Sequence, residues 1–337
     1  MGTKLSVAPD EVAMSGASKL ASLVRKKGRF QYRYDAATGE RLSGYNILRH
    51  CGAIWSMAEA ASESRAPAKL LSTCRLALDY LFREYLRHTG ATDIQCVVER
   101  NMVKLGGSGL AILALLACNK QAPDKALLAT AGDLGRYILG QMRRDKDFHH
   151  KRSFPAGELQ DFRSGYYTGE ALFGLACLYE ATGERIWLDA ALQSELALAG
   201  RNYGVEEQSH WCLYEIDKLH QFEPMPELYE HGRRIVEHII EYPAYRDRNQ
   251  STPTACRSEG MLAFLRVARR ADVAADRAFH ERCLAEVEKN LHLQLQFRRP
   301  DGAFIKGDGK SLVQIDFIQH NLSSFLDYHR LMRDGGI

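Results

Sequence analysis

The feature that most constrains this chain is a repeated pair of helical segments. One member of each pair is almost wholly apolar and opens with polar and aromatic residues, and the other has a single apolar face. Such pairs recur at intervals of 44–62 residues, as a series of helical hairpins would. The openings of the six apolar segments fall at Tyr45, Gly107, Tyr167, Trp211, Arg257 and Asp316.

The range 43–57 shows the pattern most clearly. Ser43 and Gly44 supply turn and cap chemistry, and the apolar residues that follow recur at helical spacing. The first turn nevertheless carries four polar or aromatic side chains: Tyr45, Asn46, Arg49 and His50. We interpret this segment as a buried helix whose N-terminal end faces a polar space.

Six apolar and six amphipathic segments predict an all-α fold, an (α/α)6 toroid with six inner and six outer helices. An open solenoid would need polar caps at both ends, whereas the last helix here is as apolar as the middle ones. We expect one toroid domain over residues 1–337, with short β-hairpins or extended arms at one end. A glycine-rich loop, 105–109, is expected to precede the inner helix that starts at Leu110. The predicted outer helices are Pro9–Val24, Pro67–His88, Pro123–Arg144, Trp187–Ala199, Pro226–Tyr242 and Ala275–Leu295.

The charge balance excludes some classes of partner. With 45 Lys and Arg against 42 Asp and Glu, the formal net charge is +3, which is too balanced for a protein whose main partner is nucleic acid. No apolar run approaches the roughly 20 residues of a membrane-spanning helix. Short basic clusters lie near expected helix ends, where cations favour the helix dipole. They are Arg25-Lys26-Lys27, Arg143-Arg144 and Arg269-Arg270.

Eight cysteines are spread along the chain without a CxxC pair. Most of them lie in apolar helical segments, so we interpret them as buried, reduced thiols. The N-terminus also lacks the apolar core of a signal peptide. These observations predict a cytoplasmic protein, or a soluble domain excised from a longer exported or membrane-bound protein. They leave the oligomeric state open.

The inner helices of such a ring run parallel, so their N-termini meet at one end, which we call the mouth. The residues expected there combine aromatic faces, guanidinium groups and carboxylates, which stack on sugar rings and hydrogen-bond sugar hydroxyls. We therefore expect a carbohydrate ligand at the mouth. The expected substrate-binding residues are Tyr45, Asn46, Arg49, His50, Tyr166, Tyr167, His210, Trp211, Arg257, Glu259, Gln319 and His320.

One stretch carries a resemblance to known proteins. Residues 165–183, Gly-Tyr-Tyr-Thr-Gly-Glu-Ala-Leu-Phe-Gly-Leu-Ala-Cys-Leu-Tyr-Glu-Ala-Thr-Gly, followed by Trp-Leu-Asp-Ala-Ala at 187–191, are similar to an inner-helix segment of uronyl C5-epimerases and toroidal glycosidases. The architecture of nearly the whole chain resembles the (α/α)6-toroid carbohydrate-active proteins. That group includes inverting glycoside hydrolases, unsaturated-uronyl hydrolases, uronyl C5-epimerases and polysaccharide lyases. The resemblance identifies this broad group but no single family within it, and it implies no catalytic residue.

Within that group the residues favour an inverting glycoside hydrolase acting on an oligosaccharide or polysaccharide, including an anionic one. Inversion needs a protonated carboxyl group as acid and a carboxylate as base, roughly 6.5–9.5 Å apart. The apolar neighbours of Glu170 would raise its pKa by desolvation, which makes it the expected acid. Asp316 is the expected base.

Two alternatives stay open. In a uronate C5-epimerase or polysaccharide lyase, a tyrosine or histidine would take the C5 proton, and Arg49 or Arg257 would neutralise the substrate carboxylate. In a non-catalytic toroid that binds a glycan or a partner protein, the mouth residues would form a fixed hydrogen-bonded network. In that case Glu259 would have only a structural role, in an ion pair with Arg257 or Arg49.

No cofactor and no metal site are expected. Lanthionine cyclases resemble this ring but bind zinc through cysteine and a Cys-His pair, and Trp211-Cys212 here has no second cysteine motif. Terpene cyclases resemble it too, but their aspartate-rich motifs are absent. The adjacent pair His149-His150 lies in a basic loop, where we expect a surface position.

Overall fold

The computed structural model describes residues 5–90 and 94–336. Within these ranges the chain forms twelve α-helices, one short 3₁₀ helix at Ala274–Asp276 and seven short strands. The helices are α1 Pro9–Leu23, α2 Ile47–Ala61, α3 Pro67–Glu84, α4 Leu105–Gln121, α5 Lys125–Leu139, α6 Tyr167–Thr182, α7 Arg185–Ala199, α8 His210–Phe222, α9 Pro226–Glu241, α10 Ser251–Ala271, α11 Arg277–Leu295 and α12 Ile315–Arg333.

The even-numbered helices form the inner ring. Each packs against the next even-numbered helix, and α12 packs against α2, so the circle is closed. Every residue of α4 from Leu105 to Cys118 is buried, which explains why this segment is apolar on all its faces. The odd-numbered helices pack against the outside of the ring, and α1 lies against α12 at the seam. The predicted all-α toroid of six inner and six outer helices is confirmed.

The glycine-rich stretch before Leu110 is helical, contrary to the expected loop. The reason is close packing between α4 and α6. A Cβ atom at Gly106 would lie 1.9 Å from Glu170 Oε2, and one at Gly109 would lie 2.4 Å from the Glu170 carbonyl oxygen. Only glycine allows the two helices to approach this closely.

Seven short strands in the described ranges form two antiparallel sheets beside the starts of the inner helices. The sheet β1-β7-β6 confirms the expected arm and hairpin, and the sheet β2-β3-β4-β5 was not predicted. Strands of three to five residues carry too little alternation to be recognised in sequence. Their bounds are β1 Arg33–Asp35, β2 Leu86–His88, β3 Gln95–Glu99, β4 Met102–Lys104, β5 Lys151–Ser153, β6 Ile305–Gly307 and β7 Lys310–Gln314.

Side-chain contacts at both ends show that the inner helices run parallel. Near their first turns, Arg49 of α2 pairs with Asp316 of α12. Near their last turns, Glu59 of α2 pairs with Arg330 of α12. The ring therefore has a mouth, where the inner helices begin, and an opposite face that we call the far end. No helix in the described part of the chain is long and apolar enough to cross a bilayer.

Candidate active site

Four buried side chains from three inner helices meet at the mouth, and we call them the histidine cluster. His210 begins α8, Cys256 and Glu259 lie on α10, and His320 lies on α12. His320 Nδ1 is 2.8 Å from Glu259 Oε2, and the rings of His210 and His320 meet edge to face with centroids 5.3 Å apart. Both ring nitrogens of His210 are buried without a hydrogen-bond partner among the described residues. A ligand could therefore use them.

The two histidines differ in protonation. Burial, with His320 and Arg257 adding, lowers the pKa of His210 well below its ordinary value. Burial also acts to lower the pKa of His320, but Cys256 and Glu259 outweigh it and raise this pKa well above its ordinary value. At neutral pH the cluster holds a neutral imidazole beside an imidazolium. Titratable neighbours with pKa values pushed apart are what acid–base chemistry requires.

Glu170 lies in the first turn of α6 and is buried. Its Oε2 atom has no hydrogen-bond partner within the part of the chain described. Burial raises the pKa of this carboxyl to about 8, and the charge of His320 partly opposes that rise. The raised pKa expected from the apolar neighbours of Glu170 is confirmed, and its role as an acid stays a prediction.

Asp316, the expected base, is engaged by two neighbours. Arg49 Nε lies 3.1 Å from Asp316 Oδ2, and Gln314 Nε2 donates to Asp316 Oδ1 at 2.7 Å. Arg49 also donates to the Tyr32 hydroxyl at 2.7 Å. Both carboxylate oxygens thus have partners already, and a ligand or water must displace one of those partners to reach the carboxylate. The catalytic role of Asp316 also stays a prediction.

Three residues expected to bind substrate have structural contacts instead. Asn46 is the N-cap of α2 and accepts from the backbone N–H groups of Leu48 and Arg49. His50 is fully buried between α2 and α3, where Nε2 bonds the Ala77 carbonyl at 3.0 Å. Its Nδ1 lies 2.9 Å from the hydroxyl of the third residue, Tyr45. The structure does not support a substrate role for these side chains, because their polar atoms are used within the protein.

Glu259 and Arg257 do not form the ion pair that was considered for them. Glu259 pairs with His320, while Arg257 Nε donates to Gln208 Oε1 at 3.0 Å and lies over the Tyr245 ring. The reason is geometric, since residues two positions apart on a helix point in different directions.

The tyrosines that open α6 have different surroundings. Tyr166 is exposed, with its ring 6.2 Å from that of His210, so it can reach a ligand at the mouth. Tyr167 is half-buried between His150 and Phe162. The expected surface position of His150 is wrong, because it is buried and its Nε2 lies 3.1 Å from Thr168 Oγ1.

Trp211 belongs to an aromatic layer that crosses the ring below the histidine cluster. It is buried, 6.4 Å from His320 and 5.9 Å from Trp55 between ring centroids. Phe173 and Tyr214 complete the layer, stacked at 5.4 Å. Trp211 therefore supports the floor of the mouth. Gln319 lies against α2, where a Cβ atom at Gly52 would be 2.8 Å from its Oε1.

The histidine cluster could also bind a metal ion. Its four residues each offer one donor atom, and these atoms lie within 4.8 Å of one another. Imidazole, thiolate and carboxylate are the donors that zinc takes. His320 Nδ1 and Glu259 Oε2 contact each other at 2.8 Å, so a metal ion bound through these two atoms would take the place of that contact. The sequence analysis did not foresee this set, because Cys256 lies in no CxxC or Cys-His motif.

A cavity of about 530 Å³ lies at the far end, away from the histidine cluster. Its floor is the other side of the aromatic layer, and its walls are the last turns of the inner helices. Most of its charged groups are paired with each other, as Arg266 is with Asp217 at 2.6 Å and with Asp327 at 3.4 Å. We place the candidate active site at the mouth because unpaired groups lie there beside two histidines with opposed pKa shifts.

Two residues that sequence reasoning missed help to form the mouth. Glu99 accepts a hydrogen bond from the Ile47 backbone N–H at 2.8 Å and pairs with Lys104 at 2.8 Å. Cys256 lies within the histidine cluster. Neither residue has a local signal, since Glu99 lies on an unrecognised strand and Cys256 looks like any other buried thiol.

No protein-family model and no curated protein matches the sequence. Solved structures do match in fold. A cellobiose 2-epimerase from Bacillus thermoamylovorans superposes with a TM-score of 0.74 at 12% identity, covering 96% of this chain and 98% of that one. A glycoside hydrolase family 76 mannosidase from Bacteroides thetaiotaomicron gives 0.72 at 11%, covering 97% and 99%. An unsaturated glucuronyl hydrolase specific for heparin gives 0.64 at 11%, covering 96% and 98%.

The chain shares the (α/α)6-toroid fold of these carbohydrate-active enzymes. At such identities the likeness concerns the fold alone. Function must then be argued from the site itself.

Proposed function

We propose that this chain is a carbohydrate-active enzyme whose reaction takes place at the mouth. The reaction best supported by the geometry is proton transfer at the carbon next to a sugar carbonyl, which leads to epimerisation or isomerisation. The observation that carries this proposal is the edge-to-face contact between His210 and His320, two histidines whose pKa values are shifted in opposite directions.

In this proposal neutral His210 takes the proton from the carbon beside the carbonyl of an open-chain sugar. His320 donates its proton to the carbonyl oxygen, so that a neutral enediol forms and no full charge develops on oxygen. Return of a proton to the same carbon or to its neighbour gives the epimer or the ketose. Glu259 holds the His320 ring in place at 2.8 Å and favours its protonated form.

The fold likeness is compatible with this reaction, since one of the similar structures is a sugar epimerase by its own description. The buried carboxyl of Glu170 would hydrogen-bond a sugar hydroxyl through its unpartnered Oε2. Exposed Tyr166, beside His210, would contact a sugar ring.

The test is an incubation of reducing mono- and disaccharides with the protein in deuterated water, followed by NMR. We expect a new epimer or ketose with deuterium at the carbon next to the carbonyl. The His210→Gln and His320→Gln variants should lose this exchange, and a metal chelator should leave it unchanged. Loss of activity on chelation with recovery on added zinc would contradict the acid–base roles, as would exchange that survives both substitutions.

Glycoside hydrolysis is the second candidate, favoured by Glu170. A carboxyl with a pKa of about 8 remains protonated at neutral pH and can protonate a leaving oxygen. Asp316 would act as base after its contact with Arg49 opens. Release of a new reducing end from an oligosaccharide, lost in Glu170→Gln and Asp316→Asn but kept in His210→Gln, would establish hydrolysis in place of proton transfer.

We further propose a cytoplasmic location and no nucleic-acid partner. All eight cysteines are free thiols and seven of them are buried, which suits a reducing compartment. Thiol titration of the protein purified from its native cells, with and without reductant, checks the first point, and eight reactive thiols without reductant after unfolding are expected.

A further inference from the structure

Beside the mouth lies a second cavity, of about 470 Å³, formed by the chain that links α1 to α2. Six of its lining residues are basic, and we call it the basic pocket. Its cations are Arg25, Lys26, Lys27, Arg29, Arg33 and Arg41.

These cations lack ionic partners. None of the six lies within ion-pair distance of a carboxylate in residues 5–90 or 94–336, and their observed contacts are neutral. Arg25 donates to the Gln31 side chain, Arg29 stacks over the Tyr45 ring with its guanidinium carbon 4.5 Å from the centroid, and Arg33 donates to a backbone carbonyl. Elsewhere, most guanidinium groups near a cavity are paired, as Arg266 and Arg330 are at the far end.

The helix dipole does not account for this charge. Cations near a helix C-terminus are stabilised only within the last turn, and the last turn of α1 contains no basic residue. Arg29, Arg33 and Arg41 lie well beyond the helix. The concentration of positive charge is therefore available to a ligand.

Tyr32 connects the basic pocket to the mouth. Tyr32 lines the pocket, and its hydroxyl accepts a hydrogen bond from Arg49 at 2.7 Å. Arg49 in turn contacts Asp316 at the first turn of α12. The pocket therefore adjoins the mouth, and a chain of sugars that leaves the mouth on this side would pass over it.

We propose that the basic pocket binds carboxylate groups of an acidic oligosaccharide whose end enters the mouth. Four of the six cations are arginines, and guanidinium groups bind carboxylates in a two-pronged geometry that lysine cannot reproduce. The balanced net charge of +3 favours a local site of this kind over a nucleic-acid surface. The link to the mouth rests on the proposed function, while binding of the acidic chain does not.

Calorimetry with a hexasaccharide of galacturonic acid and with its fully methyl-esterified form tests the proposal. The variant Lys26→Gln/Lys27→Gln/Arg41→Gln removes three exposed charges, and Lys125→Gln/Arg144→Gln/Lys289→Gln removes the same number and types at exposed positions elsewhere. We expect the first variant to bind the acidic hexasaccharide about tenfold more weakly, with a reduced salt dependence. The control variant should bind the acidic hexasaccharide as tightly as the unmodified protein does. Both of these proteins should bind the methyl-esterified form more weakly than the acidic form.

Equal losses in both triple variants, unchanged affinity in the first, or tighter binding of a single-stranded oligonucleotide of matched charge would overturn the proposal. Each failure is distinguishable from failure of the proposed reaction. If the hexasaccharide binds at the pocket but the deuterium experiment shows no exchange, the reaction is refuted and the pocket assignment stands. Exchange on neutral sugars combined with unchanged hexasaccharide affinity in the first variant overturns the pocket alone.

Discussion

The two ends of the ring are built from similar residue types but treat charge in opposite ways. At the far end, Arg266, Arg270 and Arg330 each have carboxylate partners at 3.0 Å or closer. At the mouth, His210 and Glu170 keep polar atoms without partners in the described residues, although both side chains are buried. An unsatisfied buried polar atom costs about 1–3 kcal/mol.

This difference between the two ends indicates that the mouth is the better place to look for function. The larger cavity, at the far end, has charges that stabilise the ring and each other. The mouth retains buried polar atoms without hydrogen-bond partners, which lower stability and which the packing of the ring does not require. Such atoms are typical of sites that bind a ligand. If this interpretation is correct, substitutions at the mouth change activity, and equivalent substitutions at the far end change stability.

The largest expected effect follows from replacing His210. We expect His210→Gln to lower kcat by about 10²–10⁴-fold, because an amide cannot accept a proton from carbon. The matched control is His220→Gln, since His220 is also a buried histidine of α8 with an unpartnered ring nitrogen but lies toward the far end. Steady-state kinetics on the sugar found by deuterium exchange measures both. Equal losses in the two variants would remove the distinction between the ends.

The next effect concerns the pH dependence of stability. The pKa of Glu170 is about 8 when folded against 4.5 ordinarily, so the folded chain keeps a proton that the unfolded chain loses. The contribution of Glu170 to the free energy of unfolding therefore falls as pH rises from about 4.5 to about 8, by roughly 3–5 kcal/mol in total. Glu170→Gln should abolish this fall in denaturant unfolding at several pH values. The exposed control Glu158→Gln should follow the unmodified protein, and a Glu170→Gln curve parallel to both would contradict the raised pKa.

A smaller effect is expected at the far end. Arg330 joins α12 to α2 by bonding Glu59 at 2.9 Å and Glu63 at 3.0 Å. Arg330→Gln should lower the free energy of unfolding by about 2 kcal/mol, as measured with denaturant. It should leave kcat within about twofold, because no residue of α12 that follows His320 in sequence takes part in the reaction proposed at the mouth. A large fall in kcat with unchanged stability would reverse the assignment of the two ends.

The smallest effect is expected at the boundary. The Tyr214 hydroxyl lies 3.0 Å from Asp327 Oδ2 on the far side and 3.4 Å from Glu259 Oε1 on the mouth side. Tyr214→Phe should cost about 1 kcal/mol of unfolding free energy and change kcat by less than about twofold. Calorimetric unfolding and kinetics check both numbers. A tenfold fall in kcat would mean that the two ends are electrostatically coupled through this hydroxyl.

Sequence predicted the helices well because their apolar periodicity is long and regular. The outer helix expected at Pro226–Tyr242 is observed at Pro226–Glu241. The expected helix Pro123–Arg144 is shorter, Lys125–Leu139, because the polar residues that follow Gly140 form a turn that periodicity does not mark.

Sequence predicted the site only in part, for geometric reasons. The raised pKa of Glu170 comes from burial, and the apolar residues that surround it on α6 indicate that burial in the sequence. Arg49 and His50 are adjacent, yet about 100° of helix rotation separates them, which sends one to the mouth and the other to α3. The pairing of His320 with Glu259 joins positions 61 apart, and no local pattern specifies which carboxylate a distant histidine meets.

The seam between α1 and α12 has a consequence for how the protein is made. The strand that follows α1 bonds the strand that precedes α12, where Ser311 contacts Asp35 across 276 positions. At about 5–20 residues per second, a ribosome needs on the order of tens of seconds between emitting these two segments. During that interval α1 can pack against α2 and α3 but lacks its main partner, α12, so nascent chains are most vulnerable to aggregation before the last helix emerges.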